Sequence, residues 1–303
     1  MLTIFSTPKP FVGHSDVIQR NAIKSWTLVH PNVEIILFGD EIGTAEVCKE
    51  YRLRHEPLVL RSPSGAKYLD HIFAVAQRTA RHPIVCYVNC DILLTSDFCA
   101  AVCAVAARRQ KFLMVGQRWD TPITAAWNFS APAWQVDLQK FGRKHGHLVG
   151  PFSIDYFAFP RGLFDRLPPL VIGRCWWDHW LVWKARSRGG AIVDATPGVM
   201  AIHQNHDYAY HPHGFLGTLR GEEALENIRL AGGKGHLQSL LDATHELTPA
   251  GKIRRVHFRK PVFKTRKFLR DTFWDLFIYR TFALRKRLGL CRRTSSEHAA
   301  AQV

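Results

Sequence analysis

Short apolar segments alternate with helix-forming segments along most of this chain. The amino-terminal third contains three segments that are short and apolar enough to be strands, and each is followed by a helical pattern. Residues 84–88 (Ile-Val-Cys-Tyr-Val) are continuously apolar, which favours a strand covered on both faces. The predicted strands are residues 2–5, 33–38, 84–88, 112–115, 191–194 and 199–202, and the predicted helices are residues 15–25, 44–50 and 67–81 and a helix from Trp177. This alternation predicts an α/β fold with a doubly wound, mainly parallel central sheet.

The positive charge of the chain is concentrated near its carboxyl end. The 303 residues carry a formal net charge of +16. Residues 252–293 hold fifteen Lys and Arg against two acids, Asp271 and Asp275, and so contribute +13 of it. The sequence therefore predicts a globular domain at residues 1–248 and a basic tail at residues 249–303.

Aromatic residues are interleaved with the basic residues of the tail. Residues 268–288 predict an amphipathic helix with Trp274 near its centre, a type of helix that binds the interface of an anionic membrane. We therefore expect an anionic membrane surface as the partner of residues 252–293, and no nucleic acid. Two alternatives remain: a solvated basic helix packed on its own domain, and RNA or DNA binding.

Cysteine usage and hydropathy indicate the compartment. The seven cysteines form no C-x-x-C pair, which favours reduced thiols in a cytosolic protein. The first residues have no basic segment or cleavage signal, and no stretch of about 18 apolar residues predicts a membrane-spanning helix. We expect a cytoplasmic protein bound peripherally to the inner face of the membrane.

An acidic residue follows the third predicted strand. Residues 89–91 are Asn-Cys-Asp, and ligands of open α/β sheets bind at the carboxyl ends of the strands. A carboxylate there suits a hard divalent cation that bridges a diphosphate. The alternative is that Asp91 caps a helix beginning near Thr95.

Histidines cluster after the last predicted strand. His203 and His206 lie three residues apart, and His211 and His213 follow. They are compatible with a zinc site or with a polar loop whose histidines make ordinary hydrogen bonds. No cysteine pair completes a closed zinc site, which makes the zinc interpretation the weaker one.

Tryptophans surround an acidic residue at the start of a late helix. Trp176, Trp177 and Trp180 flank Asp178. Aromatic rings stack on the flat C–H faces of sugars, and we expect an aspartate among them to have a raised pKa that suits a general base. The alternative is a carboxylate that only stabilises the helix start through the helix dipole.

Together these segments resemble the GT-A fold nucleotide-sugar glycosyltransferases, over residues 2–230. The first strand leads into Thr7-Pro8, the second ends in Gly39-Asp40, and the third ends in residues 87–91 (Tyr-Val-Asn-Cys-Asp). The last element corresponds to the D-x-D motif of the family, whose final aspartate binds the metal. Asn89 stands where the first aspartate usually does, which leaves Asp91 as the carboxylate of the motif.

The resemblance implies a role for each matching residue. The metal would be Mn²⁺ or Mg²⁺, bound by Asp91 and by His203 or His206, with His203 preferred because it comes directly off the strand. Asp178 would be the catalytic base, and Trp176 and Trp177 would stack on the acceptor sugar. The residues expected to bind the nucleotide and donor are Thr7, Asp40, Lys67, Asn89, Asp91 and Asp155.

The resemblance implies a transferase that moves a sugar from a nucleoside-diphosphate donor, UDP being the commonest, to an acceptor hydroxyl. The metal stabilises the departing diphosphate and Asp178 deprotonates the acceptor, which gives inversion. The acceptor would be a glycan or lipid-linked, in surface polysaccharide or glycolipid synthesis. The alternatives are a catalytically inactive nucleotide-sugar or carbohydrate-binding protein, and a sugar nucleotidyltransferase. The second needs a glycine-rich loop after the first strand, where residues 6–10 are Ser-Thr-Pro-Lys-Pro.

Overall fold

The computed structural model describes residues 1–206 and 214–256. In this part of the chain the strands are β1 (Leu2–Ser6), β2 (Glu34–Phe38), β3 (Arg54–Glu56), β4 (Ile84–Val88), β5 (Ile92–Leu93), β6 (Phe112–Val115), β7 (Arg118–Thr121), β8 (His147–Leu148), β9 (Tyr156–Pro160), β10 (Ala191–Asp194), β11 (Ala201–Gln204), β12 (His245–Leu247) and β13 (Ile253–Arg255). The α-helices are α1 (Gly13–Leu28), α2 (Thr44–Tyr51), α3 (Leu69–Thr79), α4 (Ser96–Ala106), α5 (Trp134–His145), α6 (Trp177–Ser187), α7 (Gly214–Arg220) and α8 (Glu222–Leu230). Two short 3₁₀ turns, Lys234–His236 and Leu240–Asp242, follow α8.

The main sheet has nine strands in the order β13-β12-β10-β6-β9-β4-β1-β2-β3. Strands β1 to β4 pair in parallel, as do β6, β10 and β12. β9 is antiparallel to both β4 and β6. β4 and β6 therefore run in the same direction, and their carboxyl ends lie at the same end of the sheet, which we call its carboxyl edge. The predicted α/β class with a mainly parallel sheet is confirmed.

Side chains of the central strands alternate between two hydrophobic clusters, one on each face of the sheet. In β4, Cys86 and Val88 join the cluster that contains Trp26 of α1, whereas Val85 and Tyr87 join the cluster that contains Trp180 of α6. Successive side chains of a strand point to opposite faces, so a strand covered by helices on both sides is apolar throughout. This packing accounts for the unbroken apolar sequence of residues 84–88.

A second, four-stranded sheet has the order β5-β11-β7-β8. β11 pairs in parallel with β7 and antiparallel with β5, which follows directly after the end of β4. Periodicity does not predict this sheet, because β5 and β8 have two residues each and β7 reads Arg-Trp-Asp-Thr. Its importance is positional, since it brings the end of β11 beside the end of β4.

The structure extends the globular unit beyond the predicted boundary at residue 248. β13 pairs with β12 at the edge of the main sheet, and the compact unit covers Met1–Val256. The predicted amphipathic helix at residues 268–288 lies outside the described residues. No helix in residues 1–206 and 214–256 has the length and apolarity that crossing a membrane requires.

Candidate metal and donor site

Asp91, His203 and His206 converge at the carboxyl edge of the main sheet. The His206 Nε2 atom lies 3.0 Å from Asp91 Oδ2, and the His203 Nε2 atom lies 3.9 Å from the same oxygen. One ligand atom from each residue falls within 4.8 Å of the other two. Metal–ligand bonds of about 2.1 Å place the ligands of one cation at such separations. The site is therefore large enough for a single bound ion, and both candidate histidines face it.

The donor set fits a divalent cation. Asp91 Oδ1 is buried and has no hydrogen-bond partner among the described residues, an arrangement that a bound cation would satisfy. Burial alone would raise the pKa of Asp91, but His206, His203 and Lys9 outweigh it and hold the pKa below its ordinary value. An ionised carboxylate with two imidazoles is a suitable ligand set for a divalent metal.

The helix-capping interpretation of Asp91 is wrong. Helix α4 begins at Ser96, with Thr95 at its N-cap and Asp97 as the acidic residue of its first turn. Asp91 instead interacts with His206 across the site. The predicted further histidines, His211 and His213, lie outside the described residues.

Gln204 holds the end of β11 against Asp91. Its backbone N–H and its side-chain Nε2 both donate to the backbone oxygen of Asp91, at 3.3 and 3.1 Å. The Nε2 group also donates to Ile18 O at 2.8 Å, and Oε1 accepts from Asn21 Nδ2 at 2.8 Å. Gln204 is fully buried. This buried amide therefore fixes the backbone that carries His203 relative to the backbone that carries Asp91.

A chain of charged contacts leads away from His203. Its Nδ1 lies 2.9 Å from Asp120 Oδ1. Arg118 donates to Asp120 Oδ1 at 2.7 Å and to Asp155 Oδ2 at 2.9 Å. Burial lowers the pKa of Arg118, but the two carboxylates reverse the effect and raise it, so the guanidinium stays charged. Sequence reasoning missed Arg118 and Asp120, and the only signal is a pair of opposite charges two residues apart on one strand face.

Asn89 and Asp155, both predicted to bind the donor, contact each other. Asn89 Nδ2 donates to Asp155 Oδ1 at 2.5 Å, and Asn89 N donates to Asp155 O at 3.0 Å. With Arg118 on the other oxygen, both carboxylate oxygens of Asp155 have protein partners, and the residue is buried. The structure thus places Asp155 as a support for Asn89 at the end of β4.

Thr7 and Lys67 meet at the loop that follows β1. Thr7 Oγ1 lies 2.9 Å from the hydroxyl of Tyr87, and Lys67 Nζ donates to Pro8 O at 2.9 Å. Lys9, in the same loop, has its Nζ 3.5 Å from His206 Nε2. The loop therefore connects the predicted nucleoside-binding residues with the candidate metal-binding cluster of Asp91, His203 and His206.

Lys67 also belongs to an ion cluster at the end of β2. Its Nζ lies 2.7 Å from Glu41 Oε1, and burial is the main reason that its pKa is lowered. Arg61 pairs with Asp40 at 2.5 Å and with Glu41 at 3.1 Å. Gly39 has a φ of +113°, and a Cβ there would lie 2.3 Å from Glu41 Oε2. Glycine is therefore required between the strand and this cluster. Sequence reasoning missed Glu41 and Arg61.

Asp178 lies in the first turn of α6. Its side chain is 21% exposed, and its Oδ1 accepts a hydrogen bond from Trp176 N at 3.2 Å. Burial raises the pKa of Asp178, and the negative charge of Asp155 adds to the effect. A carboxylate with a raised pKa that retains access to solvent is suited to accept a proton.

The two tryptophans predicted to stack on a sugar have different environments. Trp177 is 6% exposed and packs in the core against Tyr87 and Phe157, with ring centroids 5.3 Å away in each case. Trp176 is half-buried and has a φ of +90°, which is a strained conformation for a residue with a bulky side chain. Only Trp176 therefore keeps a partly exposed ring beside Asp178.

No protein-family model and no curated protein sequence matches this chain. Several solved structures match the chain. The chain is similar to TarS (residues 1–349) of S. aureus in complex with UDP-GlcNAc, with a TM-score of 0.50 at 13% identity, over 82% of this chain and 69% of that one. Glucosyl-3-phosphoglycerate synthase of Mycobacterium tuberculosis, in complex with Mn²⁺, UDP and glucosyl-3-phosphoglycerate, matches at 0.49 and 13% identity, over 77% and 80%.

A mannosyltransferase, PcManGT of Pyrobaculum calidifontis in complex with GDP-Man and Mn²⁺, matches with a TM-score of 0.43 at 15% identity, over 67% of this chain. The match spans 56% of the length of that protein. The fold of this chain is that of the GT-A nucleotide-sugar glycosyltransferases.

Proposed function

We propose that this chain is a metal-dependent glycosyltransferase that takes its sugar from a nucleoside diphosphate. The observation that carries the proposal is the cluster of Asp91, His203 and His206, which lies at the carboxyl edge of the sheet in a GT-A fold. This edge is where open α/β sheets bind ligands. The loop after β1 reaches the same region through Lys9, whose Nζ lies 3.5 Å from His206 Nε2.

The cation would be held by Asp91 and by the Nε2 atoms of both histidines. Two imidazole ligands favour Mn²⁺ over Mg²⁺, which prefers an all-oxygen environment. When bound, the ion supplies electrostatic stabilisation to the departing diphosphate. Lys9 adds a positive charge on the side of His206, and Asp40 and Lys67 are proposed to contact the nucleoside. The proposed donor is a UDP-sugar, since two of the similar structures contain UDP or UDP-GlcNAc.

Asp178 would act as the general base. Its carboxylate takes the proton of the acceptor hydroxyl while the hydroxyl oxygen attacks the anomeric carbon from the face opposite the leaving group, which inverts the configuration. Trp176 would orient the acceptor by stacking on its ring. Arg118 would hold Asp155, which in turn would hold Asn89 at the end of β4.

The acceptor is proposed to be a glycan or a lipid-linked sugar, in surface polysaccharide or glycolipid synthesis. The support is the charge of residues 252–293, which suits a cytoplasmic enzyme that attaches peripherally to an anionic membrane. Of these residues the structure describes Lys252 to Val256, and it exposes Arg254 and Arg255 on the edge strand β13.

Donor binding and donor hydrolysis test the proposal. UDP-, GDP- and dTDP-sugars are screened with and without Mn²⁺, on the unmodified chain and on the Asp91→Ala and Asp178→Ala variants. We expect metal-dependent binding that Asp91→Ala abolishes, and turnover that Asp178→Ala abolishes while binding remains.

Two other results separate the alternatives. Metal-dependent binding without any donor turnover by the unmodified chain would identify an inactive nucleotide-sugar-binding protein, for which Asn89 in the position of a carboxylate is the favouring observation. If no nucleotide sugar binds with any metal, the glycosyltransferase proposal fails.

A further inference from the structure

A basic groove lies at the end of the main sheet where the parallel strands β6, β10 and β12 begin. The cluster of Asp91, His203 and His206 lies at the opposite end, where the strands finish. Lys111, Gly190 and Thr244 directly precede β6, β10 and β12, and these parallel strands begin at the same edge. The groove is open to solvent and has a volume of about 450 Å³. Its polar lining comes from Arg109, Lys111, Arg186, Thr244, His245 and Arg255.

The charge of the groove is largely uncompensated. Arg109, Lys111 and Arg255 are exposed, and none of them pairs with a carboxylate in residues 1–206 and 214–256. The fourth cation, Arg186, lies 4.0 Å from Asp242, the acid that the structure places nearest to it. Like charges gathered in a concave surface focus a positive potential and attract anions.

His245 fixes one wall of the groove without neutralising it. Arg109 Nη2 lies 3.0 Å from His245 Nε2, and because a guanidinium only donates, Nε2 must be the acceptor. The imidazole proton is then on Nδ1, which lies 2.9 Å from Thr244 Oγ1. The Thr244 hydroxyl in turn donates to Ile192 O at 3.2 Å. Arg109 is therefore positioned by a buried neutral ring and keeps its full charge for a ligand.

We propose that this groove binds the phosphate group of a phosphorylated ligand, through Arg109, Lys111 and Arg255. Guanidinium groups match the geometry of phosphate oxygens with paired hydrogen bonds, and the lysine adds a point charge. The site is separate from the donor site. Strands of four residues, at about 3.3 Å per residue, separate the end of the sheet where the strands begin from the end where they finish by about 13 Å. It does not depend on the proposed transferase activity.

Inorganic phosphate is the first probe, added to the full chain in the presence of a chelator. The ring resonances of His245, assigned with a His245→Asn variant, report binding by NMR. We expect a saturable shift, and a rise in the pKa of His245, which burial, Arg109 and Arg255 lower in the free protein. The double variant Lys111→Ala, Arg255→Ala should weaken phosphate binding by about tenfold or more.

The matched control is the double variant Lys140→Ala, Lys144→Ala, which removes the same charge from the exposed face of α5 and should bind phosphate normally. Asp91→Asn should also leave the shift of His245 unchanged, which separates this site from the donor site. An absent shift of His245, or the same affinity in Lys111→Ala, Arg255→Ala, would overturn the proposal.

Vesicles distinguish the two sources of the phosphate group. The full chain is sedimented with phosphatidylcholine vesicles that contain or lack phosphatidylglycerol. Weaker binding of the Lys111→Ala, Arg255→Ala variant than of the Lys140→Ala, Lys144→Ala variant would support a lipid headgroup in the groove. Equal vesicle binding by the two variants, with the loss of phosphate binding retained, would support a small phosphate ester.

Discussion

His203 on β11 lies directly opposite Asp120 on β7, and the two side chains meet with His203 Nδ1 2.9 Å from Asp120 Oδ1. The pairing follows from the register of the two strands, so the backbone ladder sets the orientation of the imidazole before any cation binds. With Nδ1 directed at Asp120, Nε2 is left facing Asp91. A carboxylate behind a histidine fixes the tautomer and makes the other nitrogen a better metal ligand.

Replacing Asp120 by Asn should weaken metal binding without removing a metal ligand. We expect the affinity for Mn²⁺ to fall about 10- to 100-fold, the usual effect of losing such a supporting carboxylate. Titration calorimetry with Mn²⁺ measures it. The control is Asp137→Asn, the same change at an exposed position on α5. Equal Mn²⁺ affinities in the two variants would show that Asp120 has no role in holding the ion.

Replacing Asp91 by Asn should remove the stabilisation that Mn²⁺ gives to the folded protein. A ligand that binds only the folded state at 100 times its Kd raises the free energy of unfolding by about 2.7 kcal/mol. Thermal unfolding with and without Mn²⁺ should therefore show a higher Tm with the metal for the unmodified chain and for the exposed control Asp165→Asn, but not for Asp91→Asn. A metal-induced increase retained in Asp91→Asn would place the ion elsewhere.

Activity should fall at acid pH as Asp178 becomes protonated. Burial raises the pKa of this carboxyl above its ordinary value, so the base is lost at a higher pH than an exposed aspartate would be. The profile of log kcat/KM against pH should have an acid limb of slope one, with the higher plateau above the raised pKa. Asp178→Asn should lower kcat and leave donor binding intact. An acid limb that persists in the residual activity of Asp178→Asn would assign it to another group.

Strands β1, β2, β4, β6 and β10 of the main sheet were predictable because they are apolar and buried on both faces, whereas the short strands β3, β12 and β13 have no such pattern, and the predicted strand at residues 199–202 became β11 of the second sheet. Continuous apolar segments such as residues 84–88 are unambiguous once helical patterns flank them, and the structure places β4 at Ile84–Val88. Helix α1 was predicted to start at Ser15, but it starts at Gly13, and its N-cap, Val12, has no capping side chain. Helix starts without a capping residue leave no sequence signal.

The site was only partly predictable, because its supporting residues come from the second sheet. The resemblance to the GT-A glycosyltransferases implied that Asp91 and His203 or His206 share a metal site, and the structure brings all three residues together. Asp120 and Arg118 lie on a short polar strand whose pairing with β11 is a tertiary property. No local pattern distinguishes their charges from those of an exposed surface, so they could be found only when the strand register was known.

Trp176 and Trp177 should respond in opposite ways to truncation. Trp177→Ala should cost about 3–5 kcal/mol of stability, because the ring is packed in the core. Trp176→Gly should be nearly neutral for stability, since relief of a strain of about 1–2 kcal/mol at positive φ offsets the lost contacts of the ring. The same variant should raise the acceptor KM. Urea unfolding and acceptor kinetics measure the two effects, and an unchanged acceptor KM in Trp176→Gly would contradict the stacking role.

Gln204→Leu should damage both stability and metal binding. The change removes three hydrogen bonds of the Gln204 side chain. Its Oε1 accepts from Asn21 Nδ2, and its Nε2 donates to Ile18 O and to Asp91 O. Asp91 O keeps the backbone N–H of residue 204 and Asn21 Nδ2 keeps Ala125 O, so the loss is that of three buried hydrogen bonds at about 1 kcal/mol each, and we expect about 3 kcal/mol in urea unfolding. The exposed Gln110 offers the same substitution as a control. Because Gln204 fixes β11 against Asp91, the Mn²⁺ affinity of Gln204→Leu should also fall, under conditions where the variant is folded. A folded Gln204→Leu protein with normal Mn²⁺ affinity would show that the Gln204 side chain has no role in positioning the histidines.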